Sequence, residues 1–122
     1  MLTISYDETT GIVRTVAQGS VPAAEVARYL AQLQSCARRA RFEKGRLLHL
    51  VDASASAVQP RDSFDILAQA ARDHSRQDDL TAVVMRSQPA RMQIALLSTH
   101  VSLCLFSGIE EAEAWLMTES RP

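Results

Sequence analysis

Two short segments, Leu47 to Val51 and Leu80 to Met85, are apolar at successive positions rather than only at alternate ones. Side chains along a strand point alternately to opposite faces, so such segments need apolar cover on both sides, as interior strands of a parallel sheet do. Parallel neighbours cannot be joined by a tight turn and need a crossover, ordinarily a helix. The intervening residues supply one: Pro60 opens a segment with Phe64, Leu67, Ala68 and Ala71 in helical phase, running to about Gln77. The chain is thereby directed to an α/β fold.

The same reading extends outward. Leu2 to Tyr6 and Ile12 to Gln18 alternate apolar with polar residues, and Asp7 to Gly11 supplies turn chemistry between them, predicting an N-terminal β-hairpin. Ser20 is placed to cap a helix with Pro22 in its first turn and Val26, Leu30, Leu33 and Ala37 on one face, ending near Arg41. Asp52 ends the first two-faced strand and opens a loop, Ala53 to Gln59. Arg86 to Pro89 stops the second, and Ala90, Ile94, Leu97 and Val101 mark a third helix. Leu103 to Phe106 reads as a last strand. Ser107 and Glu110 have capping-box spacing before a helix carrying Ile109, Ala112, Trp115 and Leu116 on one face, where Trp115 is expected to pack inward.

The predicted fold class is α/β, a single mixed sheet with an N-terminal β-hairpin followed by βα units (β-β-α-β-α-β-α-β-α), within one domain over residues 1–122. If the strands lie in chain order, right-handed crossovers place the connecting helices on the same face. The opposite face then needs other cover, and a second copy of the chain, making a homodimer, is the expected source.

Composition narrows the partners. At 122 residues the chain has material for one core, and 47% hydrophobic residues exclude the disordered class. Lys+Arg 13 against Asp+Glu 14 leaves a net charge of -1, too little to hold nucleic acid or an anionic membrane by charge alone. Cys36 and Cys104 stand in no zinc or disulfide pattern. The first residues do not form a basic leader with an apolar core, and the most apolar later stretch, Met92 to Phe106, is interrupted by polar residues and is too short to span a bilayer. A soluble, cytoplasmic protein with no integral membrane segment is expected.

The hairpin, the strand ending Leu48-His49-Leu50-Val51-Asp52, the strand Leu80-Thr81-Ala82-Val83-Val84 and the closing stretch Phe106 to Leu116 resemble the STAS-like (SpoIIAA-like) domains of bacteria. These domains share a βα superhelical arrangement with the Sec14-type lipid-binding modules. The resemblance implies a non-enzymatic regulatory or binding module that docks a protein partner or a small polar or lipidic ligand. Two alternatives accompany it. A Sec14-like carrier of an apolar ligand needs a cavity, for which so short a chain has little spare volume. A phosphoswitch anti-sigma-factor antagonist would carry Asp-Ser-Ser-Gly at the start of the second helix. Here Asp62-Ser63 matches, but Phe64 and Asp65 replace the second Ser and the Gly. Ser63 is the phosphosite the resemblance implies, while capping of the helix is the simpler role for this pair.

Open α/β sheets bind ligands beyond the carboxyl ends of their parallel strands. That rim is expected to gather Asp52, Ser54 and Ser56 after one strand and Arg86 and Ser87 after the next, with Arg61 and Arg91 nearby on helices. Local capping is the competing role for each. His49, in mid-strand without an Asp or Cys at ligand spacing, reads as a hydrogen-bonded core residue. His74 reads as a helix-end residue favoured by the dipole, and Arg38 to Arg46 as a solvated helix end. The four glycines are isolated, so no nucleotide-binding loop is present, and no G-x-S-x-G elbow or metal-ligand spacing occurs. No catalytic residue, metal or cofactor is assigned.

Overall fold

A computed structural model describes residues 1–119. The hairpin strands β1 (Leu2–Asp7) and β2 (Ile12–Gly19) precede α1 (Ala23–Lys44) and β3 (Leu48–Ser56). They are followed by α2 (Arg61–His74), β4 (Leu80–Val84), α3 (Gln88–Ala95), a 3-10 turn (Leu96–Thr99), β5 (Leu103–Phe106) and α4 (Ile109–Glu119). The strands form one mixed sheet in chain order, β1-β2-β3-β4-β5. β1 is antiparallel to β2, and every other neighbouring pair is parallel. The α/β class and the element order match the sequence expectation.

Several boundaries move for local reasons. α1 continues to Lys44 because Gly45, at φ 85°, adopts the left-handed conformation that ends a helix and returns its N–H to the Arg41 carbonyl. Its N-terminus is set by Pro22, not by a Ser20 side chain. α2 stops at His74, and the third helix tightens into its 3-10 turn before Val101. The largest change is in β3, which continues four residues past Asp52 through what the sequence suggested was loop. Val16 pairs with Asp52 but Gln18 pairs with Ala55, so β3 carries one extra residue there. Such a bulge reverses the alternation of faces.

The sheet is covered on both sides by this chain. Val13, Leu47, Val51, Ala53, Val83 and Met85 face α1 and α3. Ile12, Leu48, Leu50, Ala82 and Val84 face the other way, onto Ala112 and Leu116 of α4. This removes the sequence-based reason for a homodimer. Among the described residues α4 follows the edge strand and joins no further strand, so the crossover rule does not govern its side. It passes behind β4 and β3, where Leu116 is fully buried, a burial favourable by about 2 kcal/mol. Trp115 packs as expected, its ring 5.6 Å from that of Phe106. Arg14, on the same face, reaches Glu113 of α4 at 3.0 Å.

Candidate functional site

On the other face the helices do not close onto the sheet. Ser63 is the sole buried residue of α2. Phe64, Leu67, Ala70 and Ala71 of that helix instead line a cavity of about 200 Å³ bounded by α1, α3 and the sheet. Val51, Val83, Met85 and Leu103 form much of its sheet wall, and Leu30, Leu33 and Ile94 its helical walls. The lining is predominantly apolar, as ligand cavities generally are.

Polar groups are concentrated at three places. On the sheet wall, His49 and Thr81 are register neighbours on β3 and β4, 7% and 8% exposed respectively. His49 Nε2 lies 2.8 Å from Thr15 Oγ1, which in turn lies 2.8 Å from the Tyr29 hydroxyl. His49 is thus the hydrogen-bonded core histidine the sequence suggested, and it also lines the cavity. Burial pulls its pKa down to about 4 against a smaller opposing effect of Asp79, so the ring is neutral at pH 7. Burial also pushes the Tyr29 phenol up.

At the amino end of the parallel strands, Arg41 pairs with Asp79 across the cavity wall. Asp79, 4% exposed, also accepts the backbone N–H groups of Leu47 and Arg76 at 3.1 Å. Arg41 is therefore a paired, half-buried side chain rather than part of a solvated basic helix end. Asp79 thereby anchors the starts of β3 and β4.

At the carboxyl end, Gln59 and Gln93 form a clasp. The Gln59 N–H donates to Gln93 Oε1 at 2.8 Å, and Gln93 Nε2 donates to the Gln59 carbonyl at 3.0 Å. The Gln59 side chain also accepts the Val21 N–H and donates to the Gly19 carbonyl, joining the segments before α1 and α2 to α3. Neither glutamine stands out in the sequence, since an isolated Gln carries no periodic or motif signal.

Of the rim residues expected from the sequence, Ser56 lines the cavity. The β3 bulge divides the group, leaving Asp52 in phase with Leu48 and Leu50 on the α4 side of the sheet while Ser56 returns to the cavity side. Asp52 Oδ1 accepts the Ser54 hydroxyl at 2.7 Å and its N–H at 3.2 Å, a local turn contact. Ser87 caps α3 by accepting the Ala90 N–H. Arg91 donates to the Met85 carbonyl at 2.8 Å and thereby finishes the end of β4. Arg61 and Arg86 are exposed, with no ion-pair partner among the described residues. Ser63 is fully buried, its hydroxyl donating to the Val21 carbonyl at 2.5 Å, so a kinase could reach it only after the first turn of α2 opened.

Among the described residues no three of His, Cys, Asp and Glu converge as a metal cage, and no helix is long and apolar enough to cross a membrane. No protein-family model and no curated protein matches the chain. Solved structures do. An uncharacterized protein of the DUF3478 family from Shewanella loihica PV-4, described as having a SpoIIAA-like fold, aligns at TM-score 0.71 and 13% identity over 94% of this chain and 93% of its own. An anti-sigma factor antagonist from Mycobacterium paratuberculosis aligns at TM-score 0.59 and 16% identity over 95% of this chain and 94% of its own. The strand order, the crossovers and these two likenesses together identify the fold as SpoIIAA-like, in agreement with the resemblance read from the sequence.

Proposed function

We propose that this chain is a small, cytoplasmic, one-domain binding module without catalytic activity, and that its site is the cavity beneath α2, which takes an apolar small molecule. The observation that carries this reading is the cavity itself: about 200 Å³ with a largely aliphatic lining, in a chain whose other sheet face is tightly packed. A chain this short lacks room for an apolar ligand only where its core is filled, and α2 and α3 stand far enough from the sheet to leave the space open. A cavity of roughly 150 Å³ with aliphatic and aromatic walls is sufficient to take benzene and stays dry when empty.

Benzene, matched in size to the space, tests the reading. Calorimetric titration into the protein should show binding, and Ala71→Leu, which fills the space from α2, should suppress it while the protein stays folded. No binding, or binding unchanged by Ala71→Leu, would refute the site.

A second reading, docking of a protein partner, is favoured by the carboxyl rim. There Arg61 and Arg86, without an ion-pair partner among the described residues, stand on segments adjoining Val58 and Met92, which are 46% and 66% exposed. A regulatory role of this kind would agree with the fold shared with the anti-sigma factor antagonist. Ser87 and Asp52 would then be supports of the rim rather than contacts, and Ser63 would be modifiable only through opening of α2. Intact mass of protein isolated from its native cell separates the readings: a released small molecule supports the cavity, and an added phosphate supports the switch.

A further inference from the structure

The polar atoms on the cavity wall carry information about charge. Arg41 and Asp79 neutralise one another, and Asp79 is further committed to two backbone N–H groups. His74 lines the end of the cavity from the last position of α2 but is exposed to solvent. Among the described residues no lysine, glutamate or unpaired arginine lines the space. An ion entering it would give up its hydration without gaining a counter-charge, which strongly disfavours charged ligands.

The sheet wall nevertheless offers hydrogen bonds. Thr81 is more than nine-tenths buried and lines the cavity, yet its hydroxyl has no hydrogen-bond partner among the described residues. His49, beside it in register, uses Nε2 toward Thr15 and Tyr29, and Nδ1 has no partner among the described residues. Both residues border the open space rather than packed protein alone, so their uncommitted polar atoms are placed to receive a polar group from whatever fills it.

We propose that the cavity selects an uncharged, mainly apolar molecule bearing one hydroxyl or carbonyl oxygen, and that Thr81 and His49 together hold that oxygen. This rests on the cavity reading above and adds the ligand's charge, its polar group and the residues that fix its orientation. Thr81 both donates and accepts a hydrogen bond, and either tautomer of His49 leaves Nδ1 a complementary donor or acceptor. The neutral state of His49 at pH 7 agrees with an uncharged partner.

The test uses a matched pair of probes, 1-octanol and octanoate, titrated calorimetrically into the full chain at pH 7. 1-Octanol should bind, and octanoate should bind at least about ten-fold more weakly. Thr81→Val keeps the side-chain shape and removes a hydroxyl with no protein partner, so it should fold normally and weaken 1-octanol by about 3- to 10-fold. In the unmodified chain, 1-octanol should shift the NMR signals of the His49 ring and leave those of exposed His100 in place. Octanoate binding as tightly as 1-octanol would overturn the charge selection while leaving the cavity as a site. An unchanged affinity in Thr81→Val, or unmoved His49 signals, would overturn the assigned polar contacts. Failure of both probes would overturn the cavity reading itself.

Discussion

The two faces of the one sheet are built from similar residues and end in different states. Behind the sheet, Ile12, Leu48, Leu50, Ala82 and Val84 meet Ala112 and Leu116 of α4 in a core whose buried members are at most 4% exposed. In front, Val51, Val83 and Leu103 face α2 and α3 across a space of about 200 Å³. Both sets are aliphatic, so composition does not separate them. The difference lies in what each helix is tied to. α4 is held by the large Leu116 and Trp115 side chains and by Arg14 to Glu113. α2 presents Phe64 and Leu67 only part-buried, and polar contacts at the two ends of the cavity hold the surrounding segments in place. One face thus contributes packing and the other offers a site.

The largest effect expected from this contrast is at the amino end of the cavity. Asp79→Ala should cost the most, about 4 kcal/mol in urea unfolding, because it strands the Arg41 charge and two backbone N–H groups at the amino end of the cavity. A loss below about 1 kcal/mol would mean the pair does not anchor that end. Leu116→Ala, on the packed face, should cost about 3 kcal/mol through lost burial and the hole left behind. Leu67→Ala, on the open face, should cost less than about 1 kcal/mol, because it enlarges a space already present. Equal losses at the two leucines would erase the distinction between the faces.

The pH dependence of stability probes the cavity wall. The folded pKa of His49, about 4, lies below the unfolded value near 6.5, so between these limits the unfolded chain binds more protons. Its contribution should be complete above about pH 6.5 and be lost as pH falls toward 4, a decline of about 3 kcal/mol. His49→Gln should remove that part of the slope, and an identical slope in the variant would place the titration elsewhere. The clasp at the carboxyl end carries a small effect. Gln93→Ala should destabilise by about 1 kcal/mol and speed hydrogen exchange at the Gln59 amide, which loses its acceptor. An unchanged exchange rate there would dissociate the clasp from closure of the cavity.

Much of the fold was legible because strong local patterns agreed with one another. Successive apolar residues in Leu47 to Val51 and Leu80 to Met85 required two-sided cover, and the helical phases between them required parallel pairing. His49 was legible as a core residue for the same reason. The site was not. Its carboxyl-rim version treated Asp52, Ser54 and Ser56 as one group, but the extra residue in β3 turns Asp52 and Ser56 to opposite sides of the sheet. A bulge inserts no distinctive residue and leaves the local composition unchanged, so periodicity does not reveal it. Thr81 was read only as a strand residue, and Gln59 and Gln93 gain their roles from partners 34 residues away in the chain.

The sequence by itself determined the order of elements and the parallel pairing, because side-chain alternation and helical phase are properties of neighbouring residues. Only the tertiary structure decided that α4 would cross behind the sheet and that α2 would stand off in front of it. Handedness constrains a helix that joins two strands, but among the described residues α4 joins none. The gap under α2 is set by the fit of distant side chains against one another, which no local pattern encodes.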